Sequence, residues 1–204
     1  MDATAAGPDA SIVGNILERG FGHTSYGDRF ANVCSIDVVL GDGRLLKTGY
    51  GHYEKSKAKY AYRYGVGPFL DGLFQQSNFG VVTSVGLWLM PKPQNFCAFF
   101  FQADDPEALS DLVGRLRPLR MQGLLRSTIH IGNDLRALSG RVNYPWKLMK
   151  ETTPMTSEVR HQLRRQFGVG AWVGCGALYG TAATNAGVKK ELRRALKGYQ
   201  LTFI

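Results

Sequence analysis

Apolar residues in the first half of this chain fall mostly at alternate positions. Ile36, Val38 and Leu40 recur every second residue, the spacing of a strand with one buried face. Gly41-Asp42-Gly43-Arg44 follows as a turn, because Asp-Gly supplies the positive φ that a tight hairpin needs. Residues 34–40 and 45–48 therefore read as a hairpin. Residues 51–59 are polar and basic and read as a loop. Residues 68–76 predict a short helix, with Pro68 in its first turn and Leu70, Leu73 and Phe74 on one face. Residues 79–90, rich in Val and Leu, predict a long strand. Pro91-Lys92-Pro93 ends it, since two prolines cannot continue a ladder. A division of the chain into 1–93 and 94–204 is expected there.

Beyond that point strands and helices interleave. Residues 96–102 form an aromatic strand pattern. Residues 106–119 carry Leu109, Leu112, Val113 and Leu116 at three- and four-residue steps, an amphipathic helix. A strand at 127–131, helices at 134–138 and Ser157–Phe167, a strand at 171–178, a helix at 184–197 and a strand starting at 201 complete the pattern. This alternation predicts an α+β fold. A length of 204 residues with 44% hydrophobic content suits one domain or two small ones.

Composition excludes several classes. No run of eighteen apolar residues exists, so no transmembrane helix and no membrane partner are expected. Residues 1–10 lack the basic and apolar regions of a signal peptide. Cys34, Cys97 and Cys175 are odd in number and widely spaced, which argues against a disulfide framework or zinc site and fits a cytoplasmic protein. The net charge of +9 is concentrated late: residues 141–204 hold eleven of the 25 basic residues and three of the 16 acidic ones. Within the two helical patterns there, apolar residues recur at helical spacing and the basic residues fall between them, on a solvated face. No aromatic is interleaved for stacking, so nucleic acid is not the expected partner.

Candidate chemistry lies in two segments. Gly14-Asn15-Ile16-Leu17-Glu18-Arg19-Gly20-Phe21-Gly22-His23-Thr24-Ser25-Tyr26-Gly27-Asp28 is too rich in glycine and polar residues for a packed helix or a continuous strand. It reads as a loop that is costly to order without a ligand, and nothing before it would hold it, so a missing neighbouring subdomain is expected. It is no P-loop, since Asp28-Arg29 stands where Lys-Ser/Thr is required, and no dinucleotide fingerprint, since neither flanking element is expected. Glu18-Arg19 is either a surface ion pair or a source of acid–base chemistry. In the second segment, running from Gly65 to Thr83, Ser77-Asn78 caps or turns the chain. Alternatively, the main chain from Gly80 to Thr83 lies along a ligand. His23, His52, His130 and His161 lack metal-ligand spacing, so no metal is expected.

Together these segments resemble the vanillyl-alcohol oxidase/p-cresol methylhydroxylase flavoproteins. The likeness rests on Ser11-Ile12-Val13-Gly14-Asn15, Glu18-Arg19-Gly20 and Gly22-His23-Thr24-Ser25-Tyr26-Gly27-Asp28. It continues in Gly67-Pro68-Phe69-Leu70-Asp71-Gly72-Leu73-Phe74-Gln75-Gln76-Ser77-Asn78-Phe79-Gly80-Val81-Val82-Thr83 and Trp88-Leu89-Met90-Pro91. Leu116-Arg117-Pro118-Leu119-Arg120-Met121 and Ala177-Leu178-Tyr179-Gly180-Thr181 are similar to segments of the family's substrate domain. The resemblance implies that 1–93 is the C-terminal part of an FAD-binding domain. It implies that 94–204 begins a cap domain of antiparallel sheet plus helices. It further implies FAD as cofactor, a phenolic substrate that loses hydride from its benzylic carbon, and either a homo-oligomer or a complementing chain. Glu18 matches an aspartate position near the reactive flavin nitrogen. Gly14, Asn15, Gly20, Gly22, Tyr26 and Gly27 match the flavin-lining loop, and Val81, Val82 and Thr83 the strand beside the cofactor. Ser25 stands where proline is common and His23 where tyrosine is common. On this likeness the chain is expected to be a fragment, inactive alone. A non-catalytic flavin-fold subunit completed by a second chain is the alternative, and a basic nucleic-acid-binding protein, resting on charge alone, ranks after both.

Overall fold

The computed structural model describes residues 7–150 and 153–204; residues 1–6, part of the stretch read for a leader, lie outside it. The chain divides into two compact units, Met1–Lys92 and Pro93–Ile204.

The first unit opens with a helix, α1 (Ile12–Leu17). Here the sequence expectation is corrected, because the glycine-rich segment starts helical. The Ser11 side chain caps α1 by accepting from the Gly14 N–H at 3.0 Å, and Ile16 and Leu17 reach the core. A three-stranded antiparallel sheet follows, in the order β2 (Leu45–Lys47), β1 (Val33–Leu40), β3 (Gly80–Leu87). Ile16, Phe30, Val33, Ile36, Val38 and Phe74 form the core on one face. Segment 49–64 covers the other face. The Tyr60 ring lies where a Cβ on Gly86 would stand, and the Trp88 indole N–H donates to the Tyr60 carbonyl at 2.8 Å.

Residues 68–76 do not make the expected α-helix. Only a 3-10 turn forms, Asp71–Phe74, between Gly67 at φ 88° and Gln76 at φ 44°. These two left-handed positions turn the chain at either end of the stretch. The turn buries Asp71, which is 1% exposed. Burial pushes its carboxyl above the usual range, against the opposing pull of Thr48, Arg63 and the Ser35 N–H. Among the described residues its Oδ2 has no hydrogen-bond partner. Asp71 lines a cavity of about 360 Å³ together with Lys47, His52 and Arg63.

The second unit contains β4 (Asn95–Ala103), α2 (Leu109–Met121), β5 (His130–Asn133), α3 (Asp134–Ser139), α4 (Trp146–Met149), α5 (Ser157–Phe167), β6 (Trp172–Gly180), α6 (Ala182–Ala195) and β7 (Gln200–Phe203). Its sheet runs β5-β6-β4-β7, every pair antiparallel. Cys97, Phe99, Phe101 and Ala103 of β4 point inward, onto Leu112 and Leu116 of α2 and Val188 and Leu192 of α6. Opposite Phe99 and Phe101, β6 places Gly176 and Gly174. A Cβ at these glycines would lie 2.5 Å and 2.2 Å from the ring tips, so both rings need bare backbone across the ladder. Strand β5 starts three residues later than the sequence pattern suggests. Ser127 instead serves as a tie, its Oγ accepting from the Ala177 N–H at 2.9 Å and its carbonyl from Arg120.

Asp134, at the start of α3, is fully buried. Arg160 on α5 donates to both its oxygens, at 2.7 and 2.5 Å, and Arg164 lies 3.8 Å away. Burial pushes the carboxyl up, but the Arg160 fork, the Leu135 N–H and Arg164 together hold it below the usual range.

Gly176→Ala is expected to cost about 1–3 kcal/mol, by forcing the buried Phe99 ring off its position. Urea unfolding measures this, and an unchanged midpoint would mean that the ring has room to move. The two buried acids act in opposite directions with pH. Asp71, with a raised value, contributes stability below its unfolded value and loses it as pH rises through the raised one. Asp134, with a lowered value, contributes above its unfolded value and loses it as pH falls through the lowered one. Amide exchange across a pH series should show Asp71→Asn flattening the rise-side loss in the first unit only. Asp134→Asn should remove the acid-side loss in the second unit, at a cost on the order of 2 kcal/mol, because a buried partner is withdrawn from Arg160.

Candidate functional site

Glu18 is the C-cap of α1. Three main-chain bonds close the helix end: Glu18 N–H to the Gly14 carbonyl at 3.0 Å, Arg19 N–H to Ile16 at 3.1 Å and Gly20 N–H to Asn15 at 2.7 Å. The last two are the paired bonds of a Schellman motif, with Arg19 in the left-handed position at φ 56°. Glycine usually fills that position, so an arginine there is held in a less favoured conformation. Glu18 itself is exposed, on a fixed stretch of backbone.

Asn15 and Gly20 meet closely. A Cβ on Gly20 would lie 2.0 Å from the Asn15 Oδ1 and 2.5 Å from its carbonyl oxygen. The Asn15 Oδ1 also accepts a hydrogen bond from the Arg29 guanidinium. Arg29 is 5% exposed, a buried cation inside the first unit.

Residues 21–28 fold back on themselves. Phe21 and Asp28 form an antiparallel bridge, and the Gly22 N–H donates to the Gly27 carbonyl at 2.8 Å. The Gly27 N–H donates to the Thr24 carbonyl at 3.1 Å, and the Tyr26 N–H to the Thr24 hydroxyl at 3.0 Å. This corrects the expectation of a loop that nothing holds: its own backbone closes it. Gly22 and Gly27 are buried, and a Cβ on Gly27 would strike the Gly22 carbonyl oxygen at 2.4 Å. Tyr26 and Gly14 are half-buried.

The three candidate residues of β3 divide between its faces. Val82 turns to the core, whereas Val81, 69% exposed, and Thr83 face away from it. Thr83 donates from its hydroxyl to the Asp37 carbonyl at 3.2 Å. Helix α1 and strand β3 are neighbours: Ile16 and Leu17 pack with Val82 and Val85, and the Gln76 N–H donates to the Leu17 carbonyl at 3.1 Å. Among the described residues no strand pairs with the outer edge of β3. The first unit therefore offers an unpaired strand edge, an exposed apolar side chain and an exposed acid at an adjacent helix end. Among the described residues, no group of three or more His, Cys, Asp or Glu could hold a metal ion. Among the described residues no helix is long and apolar enough to cross a membrane.

Sequence reasoning singled out Glu18 and the glycines but missed Arg29 and Asp71. The signal for Arg29 was weak, a lone arginine between Gly27-Asp28 and Phe30-Ala31. Asp71 lay within the motif used for the resemblance without being marked.

No family model matches the chain. It is 36% identical over 207 residues to the 1'-carboxy-chondrochloren decarboxylase of Chondromyces crocatus, covering 100% of this chain and 38% of that protein. It is 36% identical over 172 residues to the 4-cresol dehydrogenase [hydroxylating] flavoprotein subunit of Pseudomonas putida, covering 84% of this chain and 33% of that one. Among solved structures, p-cresol methylhydroxylase with substrate bound matches with a TM-score of 0.92 at 32% identity, over 100% of this chain and 40% of that one. The 4-ethylphenol oxidase of Gulosibacter chungangensis matches with a TM-score of 0.90 at 30% identity, over 95% and 38%. The α+β fold is thus that of p-cresol methylhydroxylase-type structures, over a part of their length. By sequence and by structure, these 204 residues are similar to a part of flavoproteins of the vanillyl-alcohol oxidase/p-cresol methylhydroxylase type.

Proposed function

We propose that this chain is the flavin-ring side of an FAD-dependent oxidoreductase acting on a para-substituted phenol. The observation that carries the reading is its match to substrate-bound p-cresol methylhydroxylase at a TM-score of 0.92. The exposed Glu18 at a bonded helix end and the unpaired edge of β3 support it from within the chain. In this reading residues 11–93 belong to the FAD-binding domain and 94–204 to the cap. Gly14, Asn15, Gly20, Gly22, Tyr26 and Gly27 shape the bed of the ring, and Val81, Val82 and Thr83 lie along it. FAD, when bound, supplies the hydride acceptor. Glu18 is the acid–base group beside the reacting atoms, able to hold or pass a proton from a fixed position. Its side chain is one methylene longer than the aspartate of the phenol oxidases, so the carboxylate reaches further into the site.

A second reading follows from the relative matched over the whole chain, which is named a decarboxylase. There the substrate carries a carboxylate, and carbon dioxide leaves. The two readings share the flavin and differ in the group lost.

These 204 residues alone are expected to carry no flavin. They span 38% and 33% of the two curated relatives, and the pyrophosphate contacts, which supply much of such a cofactor's binding, fall outside the residues proposed to line the ring. Gel filtration with visible absorbance checks this, and stoichiometric flavin on the purified chain would overturn it. The catalytic reading is tested by exchanging the chain for the matching stretch of the P. putida flavoprotein subunit. Anaerobic mixing with a 4-alkylphenol should bleach the flavin of that chimera, and Glu18→Gln should slow bleaching by about 10²- to 10⁴-fold. A flavin-loaded chimera that phenols never reduce, but that releases carbon dioxide from a carboxylated analogue, would favour the second reading.

A further inference from the structure

We infer that Arg29 is a positioning residue for Glu18, acting through Asn15. The inference rests on the reading of Glu18 as the acid of the site.

The geometry runs in three links. Arg29 is 5% exposed, and its guanidinium donates to the Asn15 side-chain oxygen. A buried cation is costly to hold unless its hydrogen bonds are met, so this side chain has little freedom to leave. Asn15 in turn is the residue whose carbonyl receives the Gly20 N–H at 2.7 Å, the bond that spans the helix end. Its side chain also fills the space in which a Cβ on Gly20 would stand, so Asn15 and Gly20 constrain each other from both backbone and side chain. Glu18 and Arg19 lie between those two anchors. Arg19 is left-handed at φ 56°, a conformation a non-glycine residue leaves readily when the bonds around it weaken. Freeing Asn15 therefore lets the turn relax and moves the exposed Glu18 carboxylate.

Asn15 thus has a task beyond lining the ring. It ties a buried arginine to the turn that carries an exposed acid. The neighbouring α1 residues do not supply this. Ile16 and Leu17 anchor the helix to the core but make no side-chain hydrogen bond across the turn.

The positional half is tested on the 204-residue chain itself. Amide exchange at Arg19 and Gly20 should accelerate at least tenfold in Arg29→Met and in Asn15→Leu, while β1 and β3 amides keep their rates. Asn15→Asp, which retains the acceptor for Arg29, should restore slow exchange. Unchanged exchange in Arg29→Met would overturn the inference, and so would general acceleration throughout the first unit, which would mark Arg29 as a fold residue only. The chemical half is tested in the flavin-loaded chimera by a double-mutant cycle. Arg29→Met should slow flavin bleaching by about 10- to 100-fold, the cost of a misplaced catalytic group. It should have no further effect in a Glu18→Gln background. Additive losses would show that Arg29 acts independently of Glu18 and would overturn the inference. A chimera that neither variant affects would instead sink the reading of Glu18, while the exchange result on the chain still decides whether Arg29 holds the turn.

Discussion

Strand β1 is covered on both faces, and the first unit is arranged around that constraint. On one side stand Ile16, Phe30, Phe74 and the aliphatic residues of β3. On the other stands segment 49–64, with the Lys59 carbonyl against the Cys34 thiol and the Tyr60 ring against Gly86. A strand buried on both faces must pair every polar group it carries. Ser35 is left-handed at φ 68°, where the ladder to β3 shifts register. Its hydroxyl therefore meets the Thr48 carbonyl at 2.9 Å, and the Thr48 hydroxyl accepts from the Ile36 N–H at 2.9 Å. Asp71 is drawn into the same cluster by the 3-10 turn. The polar stretch after β2 is thus a cover, fixed by the hydroxyls beneath it.

The two units handle a buried carboxylate differently, and the difference follows from what faces each one. Asp134 sits at a helix start opposite an arginine fork, so both oxygens are answered. Asp71 sits under a turn with one oxygen unanswered among the described residues, and the nearby Arg63 acts on it through charge alone, with no hydrogen bond between them. Its guanidinium donates to the Phe30 carbonyl at 3.2 Å and lies over the Phe30, Tyr64 and Phe69 rings. Burial therefore dominates at Asp71 and is outweighed at Asp134. Proximity of an arginine is not enough, since its orientation decides which way the carboxyl is shifted.

Period made much of the fold legible. The β1–β2 hairpin, strand β4 and helices α5 and α6 all have apolar residues at a regular step with a turn or cap at the end. Helix α1, with six residues, and α4, with four, are too short to show a period, and Gly14 argues against the first. Residues 68–76 show helical spacing but lie between two left-handed residues, which no apolar pattern reveals. Ser127 looked like part of a strand because the pattern cannot distinguish a strand residue from a side chain that ties one down. In the glycine-rich segment, Glu18 and Asp28 were visible as its acids. Arg29 was not, because the burial of a lone charge is set by residues distant in sequence.

The glycines of residues 14–28 invite a ligand reading, since bare backbone is what a close-fitting cofactor needs. Two of them have another cause within the chain. Gly20 is bare because Asn15 fills the space, and Gly27 because the Gly22 carbonyl does. Their absence of side chains is thus required by the turn before any ligand arrives. This shifts the chemical weight of the segment from its glycines to what they permit. They allow a helix end tight enough to hold arginine in the left-handed region, with one exposed acid between its two anchors. A fixed backbone under that acid, more than the smoothness of the loop, is what these glycines give the segment.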